Sequence, residues 1–214
     1  TGNDNAYNQG NMVKAQDENY KLKKNNYFYG QGDLQFEIIQ GLNVKANLYK
    51  SRFSSDNSNW ESPDNALGGG SGNSLGDSSN GYARRSNFSW DRELMEWTAN
   101  YNRAFGAEEK HKLDALLGYS WESNAYQSQS SMATNFAIAS MGANSIQTGN
   151  DLKIGNVTSS KNEYKLISFF ARAHYSFDER YMITATVRRD GSSKFGANHK
   201  WGWFPSVSAA WGLS

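Results

Sequence analysis

The sequence predicts an all-β chain, an antiparallel up-and-down meander of about seven strands, and three observations carry that prediction. Apolar residues recur at every second position through several stretches, with polar residues between them. A side-chain period of two, with one dry and one wet face, marks paired strands. Short turns alternate with long polar loops. Aromatic content is high, with 12 Tyr, 11 Phe and 7 Trp, although hydrophobic residues make up only 37% of the 214.

In chain order, residues 1–26 are polar and Asn-rich, with Lys21, Lys23 and Lys24 near their end, and read as loop with at most one helical turn. Alternation starts at Tyr27. Phe28, Gly30, Gly32, Leu34, Phe36 and Ile38 share one side, and Gln31, Asp33, Gln35 and Glu37 the other. A tight turn at Ile39-Gln40-Gly41 returns the chain as Leu42, Val44, Ala46 and Leu48 against Asn43, Lys45, Asn47 and Tyr49, a β-hairpin. Residues 54–85 carry almost nothing that forms a core and read as a long loop. The third strand spans roughly Asn87–Arg103. Met95, Trp97, Ala99 and Tyr101 alternate there, while Phe88 and Trp90 fall in the opposite register, which predicts a bulge or the wet end of the strand. A turn at 105–110 leads to Leu113, Ala115, Leu117, Tyr119 and Trp121. A second long loop, 123–163, contains Asn135–Met141, compatible with either a short helix or a strand. Ile167, Phe169, Ala171, Ala173 and Tyr175 form the fifth strand, and Tyr181, Ile183, Ala185 and Val187 the sixth. A Gly/Ser/Asn-rich loop, 190–202, separates the sixth from a last strand ending at Trp211.

Turns near Gln40, Ala107 and Asp178 are thus short and fall on one side, and loops 54–85, 123–163 and 190–202 on the other. Strands of about 10–13 residues suffice to cross a bilayer at a tilt of about 45°. Low hydropathy is compatible with that crossing, because only alternate residues of a transmembrane barrel face lipid. Lipid-facing positions would be Leu34, Phe36, Ile38, Leu42, Val44, Leu48, Trp97, Leu113, Leu117, Ile167, Phe169, Ile183 and Val187. A Gly/Ser linker between two domains is the competing account of 54–85.

Composition narrows the function. With 22 Lys plus Arg against 21 Asp plus Glu, the net charge of +1 makes no electrostatic case for nucleic acid. The absence of Cys removes disulfides, thiolate metal sites and a Cys nucleophile. No run of about 18 apolar residues offers a transmembrane helix, and Thr1–Ala6 lacks the pattern of a signal peptide, which fits a chain that is either not exported or an internal or processed piece. His111, His174 and His199 show no ligand spacing. Asp56–Glu61 lacks the glycine and terminal acid of a calcium loop. Gly68–Gly72 lacks the Lys-Ser/Thr of a phosphate loop, and no Gly-x-Ser-x-Gly elbow is present. No cofactor or metal is therefore expected, and no enzyme activity.

Tyr181–Gly196, which contains Arg188-Arg189-Asp190-Gly191 and Phe195-Gly196, and Trp201–Trp211, which contains Phe204-Pro205-Ser206, closely resemble the barrel signature of the SusC/RagA family of TonB-dependent outer-membrane transporters of Bacteroidota. Leu113–Gly118 and Phe169–Ser176 are similar to strands of that family. The resemblance implies a barrel of about 22 strands closed by a plug, with short periplasmic turns and long extracellular loops. It also implies a SusD-like surface lipoprotein and the TonB complex as partners, and import of oligosaccharides or peptides across the outer membrane. On that basis residues 1–214 are a partial barrel, without plug or terminal strands. Seven strands fall below the usual closed barrel, and an open sheet would leave ladder edges unpaired in lipid. The piece alone is expected to aggregate or stay unfolded.

Within that frame Arg188, on the wet face, is a candidate lining of the transport path, or a strand-exit device paired with Asp190. Trp60, Trp201 and Trp203, on the long-loop side, are candidate stacking surfaces for substrate, with an aromatic girdle as the alternative for the last two. A passive porin or structural barrel would share these strands. A soluble or surface glycan-binding β protein would need a buried core, and a glycosidase would need paired carboxylates near one cleft, an argument that the sequence positions of Glu61, Asp64 and Glu122 do not support.

Overall fold

A computed structural model describes residues 19–62, 81–137, 139–196 and 198–212. Seven strands form one antiparallel sheet in sequential order: β1 (Tyr20–Ile39), β2 (Leu42–Glu61), β3 (Tyr82–Phe105), β4 (His111–Thr134), β5 (Val157–Phe177), β6 (Tyr181–Ser192) and β7 (Trp201–Trp211). The expected meander is therefore present, and among the described residues β1 pairs with β2 alone and β7 with β6 alone. β1 to β5 are longer than expected, at 20–24 residues. β1 starts at Tyr20 where loop was expected, β2 runs on to Glu61, β4 to Thr134, and β5 begins at Val157. These extensions carry Ser, Asn, Gln and Lys on both faces, so no alternation betrays them; their strand geometry comes from ladder hydrogen bonds to a neighbour. Loop 54–85 shrinks accordingly, and residues 63–80, with Asp64 and the Gly68–Gly72 stretch, lie outside the described residues, as do 1–18.

The chain divides into two units. The loop-bearing unit holds 1–27, 53–90 and 126–161, and the hairpin-bearing unit holds 28–52, 91–125 and 162–214.

The hairpin-bearing unit contains the three short turns. In the first, Gly41 takes φ +85°, and a Cβ there would collide with the Asn102 carbonyl oxygen. The Gly41 carbonyl accepts from the Asn102 N–H at 2.8 Å. Only glycine satisfies the dihedral and the close approach together. At the third turn, Asp178 and Glu179 take positive φ, and Lys112 donates to Glu179.

The sheet in this unit has two unlike faces. Register places Phe169, Arg189 and Trp203 side by side, then Ala171, Val187 and Pro205, Ala173, Ala185 and Val207, Tyr175, Ile183 and Ala209, and Phe177, Tyr181 and Trp211. Apart from Arg189 this is a continuous apolar surface. The rings of Tyr119 and Phe169, 5.3 Å apart, carry it onto β4. Its side chains stand open: Phe36 is 58% exposed and Val207 72%. Of the positions expected to face lipid, Leu34, Phe36, Ile38, Leu48, Trp97, Leu117, Phe169 and Ile183 are exposed, whereas Leu42, Val44, Leu113, Ile167 and Val187 are half-buried. Aromatic rings cluster at the turn end as Phe177, Tyr181 and Trp211, stacked at 6.4–6.5 Å.

The loop-bearing unit is built differently. Trp60, Ala83, Ala133, Phe136 and Ala143 form a buried cluster with Tyr20 and Ile146 against it. The segment after β4 turns at Asn135 (φ 62°), bridges Phe136 to Gly149 and runs through short 3-10 turns. Within Asn135–Met141, Phe136 makes an isolated bridge and the 3-10 helix Ala139–Asn144 begins at Ala139, so the short-helix alternative holds for the last part of that stretch. The Tyr20 hydroxyl accepts from the Ala143 N–H at 2.9 Å, which ties this segment to β1. Toward the start of β3, Arg84 Nε donates to Ser130 Oγ at 3.2 Å, and Phe88 packs between Phe53 (5.5 Å) and Tyr126 (6.2 Å).

Candidate functional site

The face opposite the apolar surface of the hairpin-bearing unit is polar and cross-linked by side chains. β5, β6 and β7 place Ser168, Asp190 and Gly202 in one row, Phe170, Arg188 and Phe204 in the next, then Arg172, Thr186 and Ser206, and His174, Thr184 and Ser208. Period two sends this set to one side because its apolar partners occupy the other.

Arg188 is the hub. Its Nε donates to both Asp190 oxygens, at 2.7 and 2.9 Å, and Nη2 donates to Ser168 Oγ at 3.1 Å. The guanidinium carbon stands 5.8 Å from the Phe170 ring, and Phe204 is its register partner on β7. Phe170 reaches this position through Gly118 of β4, where any Cβ would occupy the ring's space. The pair with Asp190 is the strand-exit arrangement expected from sequence, and the same side chain also stands among the polar-face groups. Both partners are substantially exposed, at 51% and 37% of their side chains, so solvent screens the ion pair and leaves it worth little stability. Its geometric effect is larger: it holds a cation upright on the wet face with N–H groups to spare.

Across β2, β3 and β4 a second cluster forms. Arg92 Nε donates to Glu122 Oε1 at 3.1 Å, Asn124 donates to the same oxygen at 2.7 Å, and the Arg92 guanidinium lies 5.8 Å from the Tyr49 ring. Tyr29 adds a ring 6.1 Å from Tyr49, and Asn47 donates to Asp33 at 2.6 Å. Sequence reasoning left this cluster out. Arg92 and Glu122 are 30 positions apart, and only strand pairing joins them. Gly118, an interruption in a strand of larger residues, was the one available signal for the Phe170 seat.

The tryptophans do not share one location. Trp60 is 3% exposed and meets Phe136 edge-on at 5.0 Å, so it offers no stacking face to a ligand and belongs to the buried cluster. Trp201 and Trp203 lie on the apolar face with Arg189. Among the other signature residues, Pro205 pairs with Val187 on the apolar side, and Ser206 donates to Thr186 Oγ1 at 3.3 Å on the polar side. The Phe195 N–H and the Gly196 carbonyl close turns in the 193–200 connection. His111 bonds Tyr175 at 2.6 Å, His174 bonds Thr184 at 2.8 Å, and His199 lies in a loop. Among the described residues no three His, Cys, Asp or Glu side chains gather into a metal-holding group.

The model of the TonB dependent receptor-like, beta-barrel family matches residues 1–214. The chain belongs to this family of receptors and transporters. It is 36% identical over 118 residues to TonB-dependent receptor P39 of Formosa agariphila, covering 54% of this chain and 11% of that protein. It is 40% identical over 65 residues to TonB-dependent receptor SusC of Bacteroides thetaiotaomicron, covering 30% of this chain and 6% of SusC. A solved structure of the RagAB peptide transporter superposes with a TM-score of 0.76 at 25% identity, over 92% of this chain and 20% of that one. The RagAB peptide importer in its open-open state gives the same score and coverage at 26% identity. The chain thus spans about a tenth of its P39 relative and a fifth of the RagAB chain. The SusC/RagA resemblance carried by Tyr181–Trp211 agrees with these matches.

Proposed function

We propose that this chain is part of the barrel wall of an outer-membrane, TonB-dependent importer of peptides or oligosaccharides. In this reading the apolar face of the hairpin-bearing unit meets lipid and the polar face borders the transport path. The observation that carries it is the contrast between those two faces. A surface with Phe36, Leu117, Phe169, Ile183 and Val207 open suits hydrocarbon, and the opposite surface is wet and hydrogen-bonded. A soluble glycan-binding protein would cover the first surface with a second layer. The single ladder edges of β1 and β7 suit pairing with further strands of a larger barrel.

The relatives support the transport class: one is named SusC, and the RagAB neighbours are named for peptides. By the same likeness a SusD-like surface lipoprotein, the TonB complex and a plug are the expected partners, and the proton gradient acting through TonB is the energy source. Peptide is the preferred substrate class. Arg188 with Asp190, and Arg92 with Glu122, place both charge signs on the wet face beside aromatic rings, which suits a zwitterionic chain carrying side chains. Trp201 and Trp203 are assigned to the lipid boundary.

The deciding experiment is uptake of labelled peptide and oligosaccharide pools by cells expressing the gene product that carries this segment, with and without an uncoupler. Uptake that stops with the gradient supports the importer. Uptake indifferent to the uncoupler supports a passive porin and overturns the proposal.

A further inference from the structure

We propose that Arg189, held between Trp201 and Trp203, is a seat for a phosphate group of an outer-leaflet glycolipid. The inference rests on the outer-membrane reading above and adds a ligand to the lipid-facing side.

Arg189 is the one cation within the β5–β7 apolar columns, whose other members from Phe177 to Trp203 are hydrophobic. Its register neighbours are Phe169 and Trp203. Its guanidinium carbon lies 4.6 Å from the Trp201 ring and 5.1 Å from the Trp203 ring. Its Nε is buried and has no hydrogen-bond acceptor. Adjacent Arg188, on the other face, is the opposite case, with Asp190 and Ser168 taking its N–H groups. Two indoles attract a guanidinium through their ring faces, but they accept none of its in-plane hydrogen bonds.

The arrangement is built by the backbone. Trp201 is the register partner of Gly191, and a Cβ on Gly191 would come within 2.8 Å of the indole. Glycine there lets the ring lie down beside Arg189, and Phe169 stacks on its flank at 6.2 Å. Arg189 also sits close to the end of β6, beside the 193–200 connection and away from the Tyr181–Trp211 end of the columns. A charged side chain on a lipid-facing surface requires an anion or access to the interface, and tryptophans concentrate at that interface. A phosphate presented there accepts two parallel N–H bonds from a guanidinium, a geometry that a lysine does not reproduce.

The test uses the gene product that carries this segment, purified in detergent from outer membranes. Diphosphoryl lipid A and its dephosphorylated analogue serve as probes, followed by native mass spectrometry. The wild type is expected to prefer the diphosphoryl form by about tenfold or more, Arg189→Gln to lose the preference, and Arg189→Lys to keep only part of it. Equal binding of the two lipids by the wild type overturns the proposal without any variant. So does a correctly assembled Arg189→Gln protein, shown by heat-modifiable migration, that keeps the preference. Complete displacement by millimolar inorganic phosphate overturns the commitment to a lipid. A protein found outside the outer membrane removes the parent reading, whereas one found there without a phosphate preference removes this inference alone.

Discussion

In the loop-bearing unit Trp60, Ala83, Ala133, Phe136 and Ala143 are hidden beneath the segment after β4, whereas in the hairpin-bearing unit Phe36, Leu117, Ile183 and Val207 stand open. The larger share of apolar surface is thus the uncovered one. A water-soluble sheet would invert this, since burying apolar area is its main source of stability. One unit excludes water with its own chain. Under the outer-membrane reading proposed above, the other would meet hydrocarbon, with ladder hydrogen bonds satisfying every strand it can pair.

The largest expected effect tests the first half of that comparison. Trp60→Ala should cost about 3–5 kcal/mol locally, because a buried indole leaves a cavity that its neighbours fill only in part. The 135–156 segment should become protease-sensitive in the assembled receptor while barrel assembly, followed by heat-modifiable migration, is retained. Assembly lost together with the segment would show that the buried cluster also supports the hairpin-bearing unit.

Next comes Ala185→Arg, in the middle of the apolar face between Ala173 and Val207. A lipid-facing arginine near the bilayer midplane costs about 2–4 kcal/mol. Outer-membrane levels should fall, and those of Thr184→Arg, one residue away on the polar face, should not. Equal loss for both would break the assignment of the two faces.

Gly41→Ala should cost about 1–3 kcal/mol, through its positive φ and the Asn102 carbonyl against which a Cβ would press. Urea unfolding of the reconstituted receptor would read this as a lower midpoint. On the polar face, Arg188→Ala should lower peptide uptake several-fold with little change in stability, since its ion pair is exposed. A fall in stability without a fall in uptake would return Arg188 to a purely structural role.

The smallest effect concerns acid. The Lys112 hydrogen bond, and then its charge, hold the Glu179 carboxyl below its ordinary 4.5. A depressed folded value stabilises above the ordinary one, and that contribution is lost as pH falls through the lowered value. Glu179→Gln should therefore narrow the stability difference between neutral and strongly acid pH, by a small amount because the pair is solvent-exposed. Acid titration of the variant and the parent reads it, and identical profiles would show that the pair contributes nothing.

Much of the hairpin-bearing unit was legible in the sequence. Leu34 to Ile38, Leu113 to Trp121 and Ile167 to Tyr175 alternate because lipid or core on one side and water on the other impose a period of two. The short turns at Gln40, Ala107 and Asp178 and the Arg-Arg-Asp-Gly exit were visible from local turn chemistry, and the Phe-Pro-Ser stretch only through the family resemblance. Where both faces of a strand are wet the pattern vanishes, and so Tyr20–Lys24, Ser54–Glu61 and Ser123–Thr134 read as loop although they are strand.

Only the tertiary structure decided which distant residues meet. It moved Trp60 from a stacking surface into a core, because Phe136 and Ala143 return from a later loop to cover it. It joined Arg92 to Glu122 and gave Phe170 its place over Gly118, since pairing register, which no single strand encodes, sets those distances. It also separated two adjacent arginines. The alternation that sends Arg188 to the wet face and Arg189 to the dry one is written in the chain, as is the Asp190 carboxylate two residues beyond Arg188, but the two indoles that receive Arg189 arrive only when β6 and β7 lie side by side.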